Sequence, residues 1–281
     1  MRIIETIDAL QECLKQCRDQ GKTIALVPTM GGLHQGHLQL IDEAKSHADV
    51  VVASIFVNPT QFAPHEDLDK YPHSPEADKK GLMDRGADVL FLPSVEEIYP
   101  ENQTSDYEVG EIAELLCGKS RPIHFKGVAQ VVSRFFDIVE PDVAVFGEKD
   151  YQQLQIIKQL VGRQKRKINI ASIGIVREND GLAMSTRNKY LSASERMLAP
   201  NFNQALRQAK LNYESDMVLD QVISRAKEYL GKPFELDYFE MLDANTLTKI
   251  TTSSADVIIV SAVKLGATRL IDNIVFRRSN V

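Results

Sequence analysis

No stretch of this sequence stays apolar for the roughly 20 residues that a helix needs to cross a bilayer. Near the N-terminus, Glu5 and Asp8 interrupt what would otherwise be a short apolar segment. It does not read as a signal-peptide core, so a cytoplasmic protein is the expectation. Positive charge is not in excess either: 33 lysines and arginines face 39 aspartates and glutamates, a net charge of −6. That balance argues against a general nucleic-acid binder, which shows a basic face, but leaves room for a local basic pocket. Cysteine is scarce, with only Cys13, Cys17 and Cys117. An odd number in a chain of this length builds no disulfide framework, and no Cys/His group has zinc-site spacing. Cys13 and Cys17, four apart on an expected helix, read as buried or half-buried free thiols. Three motifs are missing as well. Without Gly-x-Gly-x-x-Gly or Gly-x-x-x-x-Gly-Lys-Ser/Thr, the nicotinamide and P-loop readings lose support. No serine sits in a Gly-x-Ser-x-Gly nucleophile elbow.

What remains is an ordinary folded composition, 43% apolar and 26% charged over 281 residues. The length allows one large domain or two moderate ones, each with a core. Apolar residues at helical spacing from Ile7 to Cys17 predict a helix closed by Gly21. Thr23–Val27 reads as a strand, about 36–47 as a helix, and the β-branched run Val50–Val57 as a strand buried on both faces. A long polar loop with prolines follows, and loops of that length are often functional. A helix at about 75–85, a strand at 88–92, a short helix at 111–116 and a helix at 127–139 come next. A strand at 143–146, a helix to about Leu160 and a strand at 168–176 complete the alternation. Strands alternating with helices predict a parallel sheet covered on both faces over residues 1–176. Beyond about 188 the order changes to two helices, near 194–212 and 216–230, then three strands near 234–242, 256–263 and 269–276. Ser192 and Glu195 fit a capping box for the first helix. This predicts a smaller α+β domain over 177–281.

Ligands of parallel sheets bind at the carboxyl ends of strands, and several strand ends here are chemically unusual. The first carries Met30-Gly31-Gly32-Leu33-His34-Gln35-Gly36-His37 between a strand and a helix. Glycine permits φ > 0 and close backbone approach, and a helix start offers amides and a dipole end to an anion. Two imidazoles beside it can donate to phosphate near neutral pH. A second strand end holds Asn58 and Gln61, and a third Gly147, Glu148, Lys149 and Asp150. A lysine so placed can neutralise charge on a leaving pyrophosphate, or simply pair with its neighbour at the surface. A fourth, ending at Val176, leads to Met184, Ser185, Thr186 and Arg187, two hydroxyls and a guanidinium suited to a triphosphate. Gln61 and Gln153 are neutral amides able to orient a small polar substrate. Arg121 sits in a basic segment with Lys119, His124 and Lys126 and by itself reads as solvated charge. His47, His65 and His73 read as surface residues, while His124 is left open. Together these features point to nucleotide transfer by positioning and electrostatics, with no covalent enzyme intermediate.

A strand followed by His-x-Gly-His, with a later basic Ser/Thr motif, resembles the nucleotidyltransferase superfamily. Five motifs in order narrow the likeness: Pro28–His37, Phe56–Phe62, Arg121–Phe125, Phe146–Leu154 and Asp180–Asn188. Together they resemble the pantothenate synthetase family, and Leu265–Asn273 in the tail fits too. Gly32 stands where alanine is frequent, and Thr186 where a second serine is frequent, adding a methyl near the phosphates. The resemblance implies a Rossmann-like α/β domain at 1–176 and a C-terminal lid domain at 177–281. It implies ATP-dependent joining of (R)-pantoate to β-alanine through pantoyl adenylate, giving pantothenate, AMP and pyrophosphate. By the family pattern Met30–His37 would hold ATP, with His37 as donor in the transition state and His34 assisting. Gly147–Asp150, Val176 and Met184–Arg187 would complete the ATP site, with Lys149 and Arg187 acting on the phosphates. Gln61 and Gln153 would bind pantoate, Gln61 would border β-alanine, and Asn58 and Arg121 would contribute. Mg2+ would arrive with ATP on ligands the sequence does not name. The family forms homodimers. Rival readings are an adenylyl- or cytidylyltransferase of the same superfamily, which would lack Gln61 and Gln153, and a non-catalytic nucleotide sensor, which would not need His34, His37, Lys149 and Arg187.

Overall fold

Valine, isoleucine and alanine build the centre of a six-stranded parallel sheet. The computed structural model describes residues 1–100 and 108–278. It divides into two compact units, Met1–Glu148 with Ile156–Gly174, and Lys149–Gln155 with Ile175–Val281. The first unit holds β1 (Arg2–Ile4), α1 (Ile7–Asp19), β2 (Ile24–Thr29), α2 (Gln35–His47), β3 (Val50–Ile55) and α3 (Pro75–Asp84). It continues through β4 (Val89–Phe91), α4 (Val95–Ile98), α5 (Cys117–Ser120), α6 (His124–Val139), β5 (Val143–Gly147), the part of α7 (Tyr151–Arg163) from Ile156 on, and β6 (Asn169–Ile173). The strand order is β1-β4-β3-β2-β5-β6. β2 pairs with β3 from Ile24↔Val50 to Thr29↔Ile55 and with β5 at Ala25↔Val143. Ile24–Val27 and Val50–Ala53 are buried without alternation, as expected of strands covered on both faces. Ala25, Val27, Val51 and Ala53 share one apolar cluster with Leu40, Ile41 and Ala44 of α2 and Leu82 of α3. Alternate side chains face the opposite side, where α6 lies against β2. The chain leaves β2 for β3 on one side, while β5 lies on the other. The carboxyl ends of β2 and β5 therefore flank the switch point of the sheet, where ligands of such folds bind.

The second unit holds α8 (Ala193–Leu198), α9 (Pro200–Glu214), α10 (Leu219–Leu230), β7 (Phe234–Asp243), β8 (Asp256–Leu265) and β9 (Thr268–Arg277). The three strands form an antiparallel sheet in that order. Phe202, Leu206, Val222, Phe239, Ile259 and Val263 are buried in its core. Each such side chain contributes about 1.5–3 kcal/mol relative to exposure. Ser192 and Glu195 form the expected capping box.

Several boundaries differ from the sequence reading. β1 has no counterpart in it, because three residues carry no readable period. α6 begins at His124 rather than Gly127. The helix expected over 194–212 is two, because Pro200 starts α9 and cannot donate into a preceding turn. β6 ends at Ile173, not Val176. Val176 instead accepts from Met184 N at 3.0 Å, next to an Arg177–Ala183 bridge. Lys149–Gln155 groups with the second unit rather than with the contiguous 1–176. One cause is the Asn273 amide of β9, which donates to the Lys149 carbonyl at 3.1 Å. Among the described residues no helix is long and apolar enough to cross a membrane.

Candidate active site

Two left-handed residues follow β2: Gly31 has φ +81° and Gly32 φ +62°, a region cheap only for glycine. At Gly31 space adds a second reason, since a Cβ would come within 2.9 Å of Ile55 Cγ2. The turn aims two successive amides at one carboxylate. Gly32 N donates to Asp78 Oδ2 at 2.7 Å and Leu33 N to Oδ1 at 2.8 Å. Asp78 reaches them from the first turn of α3 and is buried.

His34 is the N-cap of α2. Its Nδ1 accepts from Gly36 N at 3.1 Å, and His37 Nδ1 accepts from His34 N at 3.3 Å. This is a capping box in which imidazoles stand where Ser/Thr and Glu/Gln usually do. A ring nitrogen that accepts an amide hydrogen carries no proton, so the proton of each neutral ring is assigned to Nε2. The cap thus selects the tautomer of both histidines. Their ring centroids are 4.0 Å apart, so two full charges there would repel. The sequence reading expects open amides at this helix start. Instead Gly31 donates to Thr29 Oγ1, Gly32 and Leu33 to Asp78, and His34 and Gly36 to the imidazoles. These five amides are engaged within the chain, while each neutral ring keeps its hydrogen on Nε2.

The loop after β3 orients Gln61. Asn58 is 1% exposed and caps the short turn Pro59–Gln61. Its Nδ2 donates to Gln61 Oε1 at 3.1 Å and to the Gly127 carbonyl at 3.0 Å, while its Oδ1 accepts from Tyr99 Oη at 2.8 Å. With Oε1 engaged, Gln61 Nε2 points to Met30 Sδ at 3.0 Å. Gly127 makes this possible, because a Cβ there would lie 2.4 Å from the Thr60 carbonyl oxygen. Asn58 is therefore an orienting residue at the base of the loop. Arg121 Nη2 donates to Glu66 Oε2 at 2.9 Å and to the Gln61 carbonyl, which also lies 3.1 Å from His124 Nδ1. Burial alone would raise the Glu66 carboxyl, but the Arg121 bond and charge and the Ala63 amide hold it below the usual carboxylate range. Arg121, which the sequence presents as solvated charge, is thus a half-buried brace on the Gln61 turn.

In the second unit β9 organises the remaining candidates. Asn273 holds the Lys149 carbonyl. Lys149 Nζ lies 3.8 Å from Asp150, a loose pair. Asp272, 2% exposed, receives both Nη atoms of Arg177 at 2.7 and 2.9 Å and Asn203 Nδ2 at 3.0 Å. Arg177 also donates to the Gly181 carbonyl at 3.1 Å, closing the hairpin that leads to Met184. Ser185 then caps the turn Thr186–Tyr190 by accepting from Arg187 N, and Thr186 is buried. Gln153, on the first turn of α7, is half-buried. Glu148, in the first unit, accepts from Ser172 Oγ at 2.9 Å. Sequence reasoning misses Asp78, Tyr99, Asn203 and Asp272 as site residues. The partners just described for them lie 41 to 95 positions away, and no local pattern marks such pairs.

A family model described as pantoate-beta-alanine ligase matches residues 2–275. The chain belongs to the pantoate-beta-alanine ligase family. A pantothenate synthetase from Ruthia magnifica subsp. Calyptogena magnifica is 52% identical over 262 residues, 92% of this chain and 93% of that one. One from Shewanella piezotolerans is 45% identical over 97% of this chain and 98% of its own. Among solved structures of the family, the pantothenate synthetase from Thermus thermophilus matches with a TM-score of 0.92 at 38% identity, covering 98% of this chain and 99% of that one. The Francisella tularensis pantoate-beta-alanine ligase, solved with beta-gamma ATP and beta-alanine, matches with a TM-score of 0.82 at 36% identity, covering 98% and 97%.

Proposed function

We infer that this chain joins pantoate to β-alanine at the expense of ATP, and the family match over residues 2–275 carries that reading. A carboxylate does not acylate an amine at useful rates, so it needs a leaving group. A pantoate carboxylate oxygen attacks the α-phosphorus of ATP, the bond to the bridging oxygen breaks, and pyrophosphate leaves with the electron pair. The amine of β-alanine then attacks the acyl carbon of pantoyl adenylate. AMP leaves, the nitrogen loses a proton, and pantothenate remains. The Francisella tularensis ligase, complexed with beta-gamma ATP and beta-alanine, supports the same two ligands here. A nucleotidyltransferase that stops after transfer is not favoured, because whole-length relatives are named for the full synthesis.

Met30–His37 would face ATP, with His37 and His34 donating Nε2–H to phosphate oxygens as charge moves to pyrophosphate. Their cap-selected tautomer supports this role. Gln61, oriented by Asn58, would bind pantoate beside β-alanine, with Gln153 as a second amide. Lys149, Val176 and Met184–Arg187 of the C-terminal unit would complete the ATP contacts, that unit acting as a lid. Among the described residues no group of three His, Cys, Asp or Glu side chains could hold a metal. Mg2+ would arrive with ATP, bound to its phosphates. A homodimer and a cytoplasmic location belong to the same proposal. The test is pyrophosphate release from ATP with pantoate alone, then AMP release on adding β-alanine. Absence of pantoate-dependent pyrophosphate would sink the reading.

A further inference from the structure

Three donors converge on the carboxylate of Asp78: Gly32 N at 2.7 Å, Leu33 N at 2.8 Å and Ser74 Oγ at 2.9 Å. The residue is 2% exposed. Burying a carboxylate is costly unless its oxygens accept hydrogen bonds, and charge-assisted bonds to amides are the stronger kind. These bonds set the path of the left-handed Gly31–Gly32 turn. That path determines where Leu33 ends and where His34 caps α2. His34 N in turn donates to the ring of His37. A continuous series of contacts therefore runs from Ser74 through Asp78 and the turn to both imidazoles. The carboxylate has a second effect. It occupies two amides that an anion could otherwise take, and its charge opposes a phosphate on that side of the turn.

We propose that Asp78 is a positioning residue for adenylation: it holds the diglycine turn so that His34 and His37, rather than the turn amides, meet the phosphates of ATP. This rests on the reading in which the turn faces ATP. Asp78→Asn keeps the volume but replaces one acceptor with an amide nitrogen that cannot accept. In the full chain, kcat/KM for ATP in pantoate-dependent pyrophosphate release falls at least about tenfold. KM for pantoate and for β-alanine stays within about twofold. A purely structural role would lower stability and the active fraction and leave the KM values alone. A folded Asp78→Asn enzyme with wild-type ATP kinetics, or with KM for pantoate and β-alanine raised as much as KM for ATP, overturns the proposal. Should that variant not fold, Ser74→Ala decides. It keeps both amide bonds and removes one donor, and KM for ATP rises about two- to fourfold with pantoate unaffected; unchanged ATP kinetics overturn the proposal. If the wild-type chain itself releases no pyrophosphate with pantoate, the functional reading fails, and this inference with it. Normal wild-type turnover beside an unaltered variant removes the positioning role alone.

Discussion

His37 has a structural task on one nitrogen and a proposed chemical one on the other. Nδ1 accepts the His34 amide and helps cap α2, while in the proposed mechanism Nε2 donates to phosphate. Removing the ring should therefore produce two separable losses. In His37→Ala, turnover falls about 10²–10³-fold, the range for losing one donor to developing charge. Stability falls by about 1 kcal/mol, the usual cost of a lost cap. Steady-state kinetics measure the first and urea unfolding the second. Turnover within a few-fold of wild type would remove the donor role while leaving the cap untouched. Asn58 illustrates the same division of labour at one residue. The sequence offers it as a substrate contact, but it is 1% exposed and its amide is engaged by Tyr99, Gln61 and Gly127.

The loop between β3 and α3 is the element on which the Gln61 reading depends. It is braced from outside by Glu66 and Arg121, whose side chains are 16% and 15% exposed. The folded Glu66 carboxyl lies below its ordinary value. Its contribution is therefore fully present above the unfolded value, about 4.3, and is lost as pH falls through the lower folded value. Glu66→Gln should be less stable than wild type by about 1–3 kcal/mol at neutral pH. It should also lose less than wild type on acidification through that window. Urea midpoints at about pH 7 and below about pH 4 check both statements. An equal acid slope in the two proteins would mean that the pair does not hold the loop. The start of α6 is explained at the same scale. It lies at His124 because the Arg121 carbonyl accepts the His124 amide, and the Ile123 carbonyl likewise accepts Gly127 N. In the first helical turn Phe125 is the one apolar side chain and is buried, between the polar His124 and Lys126, so the continuous apolar stripe that marks the helix in the sequence begins at Val128.

At the scale of the whole chain, β9 carries contacts that its sequence does not announce. Asp272 is a buried carboxylate shared by Arg177 and Asn203. Removing one partner of such a pair leaves a charge uncompensated. Asp272→Asn should lower stability by roughly 3–5 kcal/mol, read by chemical denaturation. A loss below about 1 kcal/mol would mean that Arg177 is solvated and the hairpin to Met184 stands without it. Much of the architecture was legible because its signals are local. The run Val50–Ala53 can only be a doubly covered strand, and Ser192 with Glu195 can cap a helix wherever it lies. The candidate site was legible for a different reason, since glycines, imidazoles and hydroxyls cluster at strand ends. The residues that orient those groups were not, because each is joined to its partner only by folding.

The sequence by itself determined the alternation of strands and helices, the change of architecture beyond residue 188, and the composition of each strand end. Periodicity, capping and turn chemistry act over a few residues, so they are written in the order of the chain. Tertiary structure alone decided that Asp78 takes the amides of Gly32 and Leu33 and that Asp272 takes Arg177. It also decided that Lys149 groups with β9. The imidazole tautomers lie between the two cases. The spacing His34-x-x-His37 allows a reciprocal cap, but ring orientation selects it, and the turn that sets this orientation is held by a carboxylate 46 residues away from Gly32.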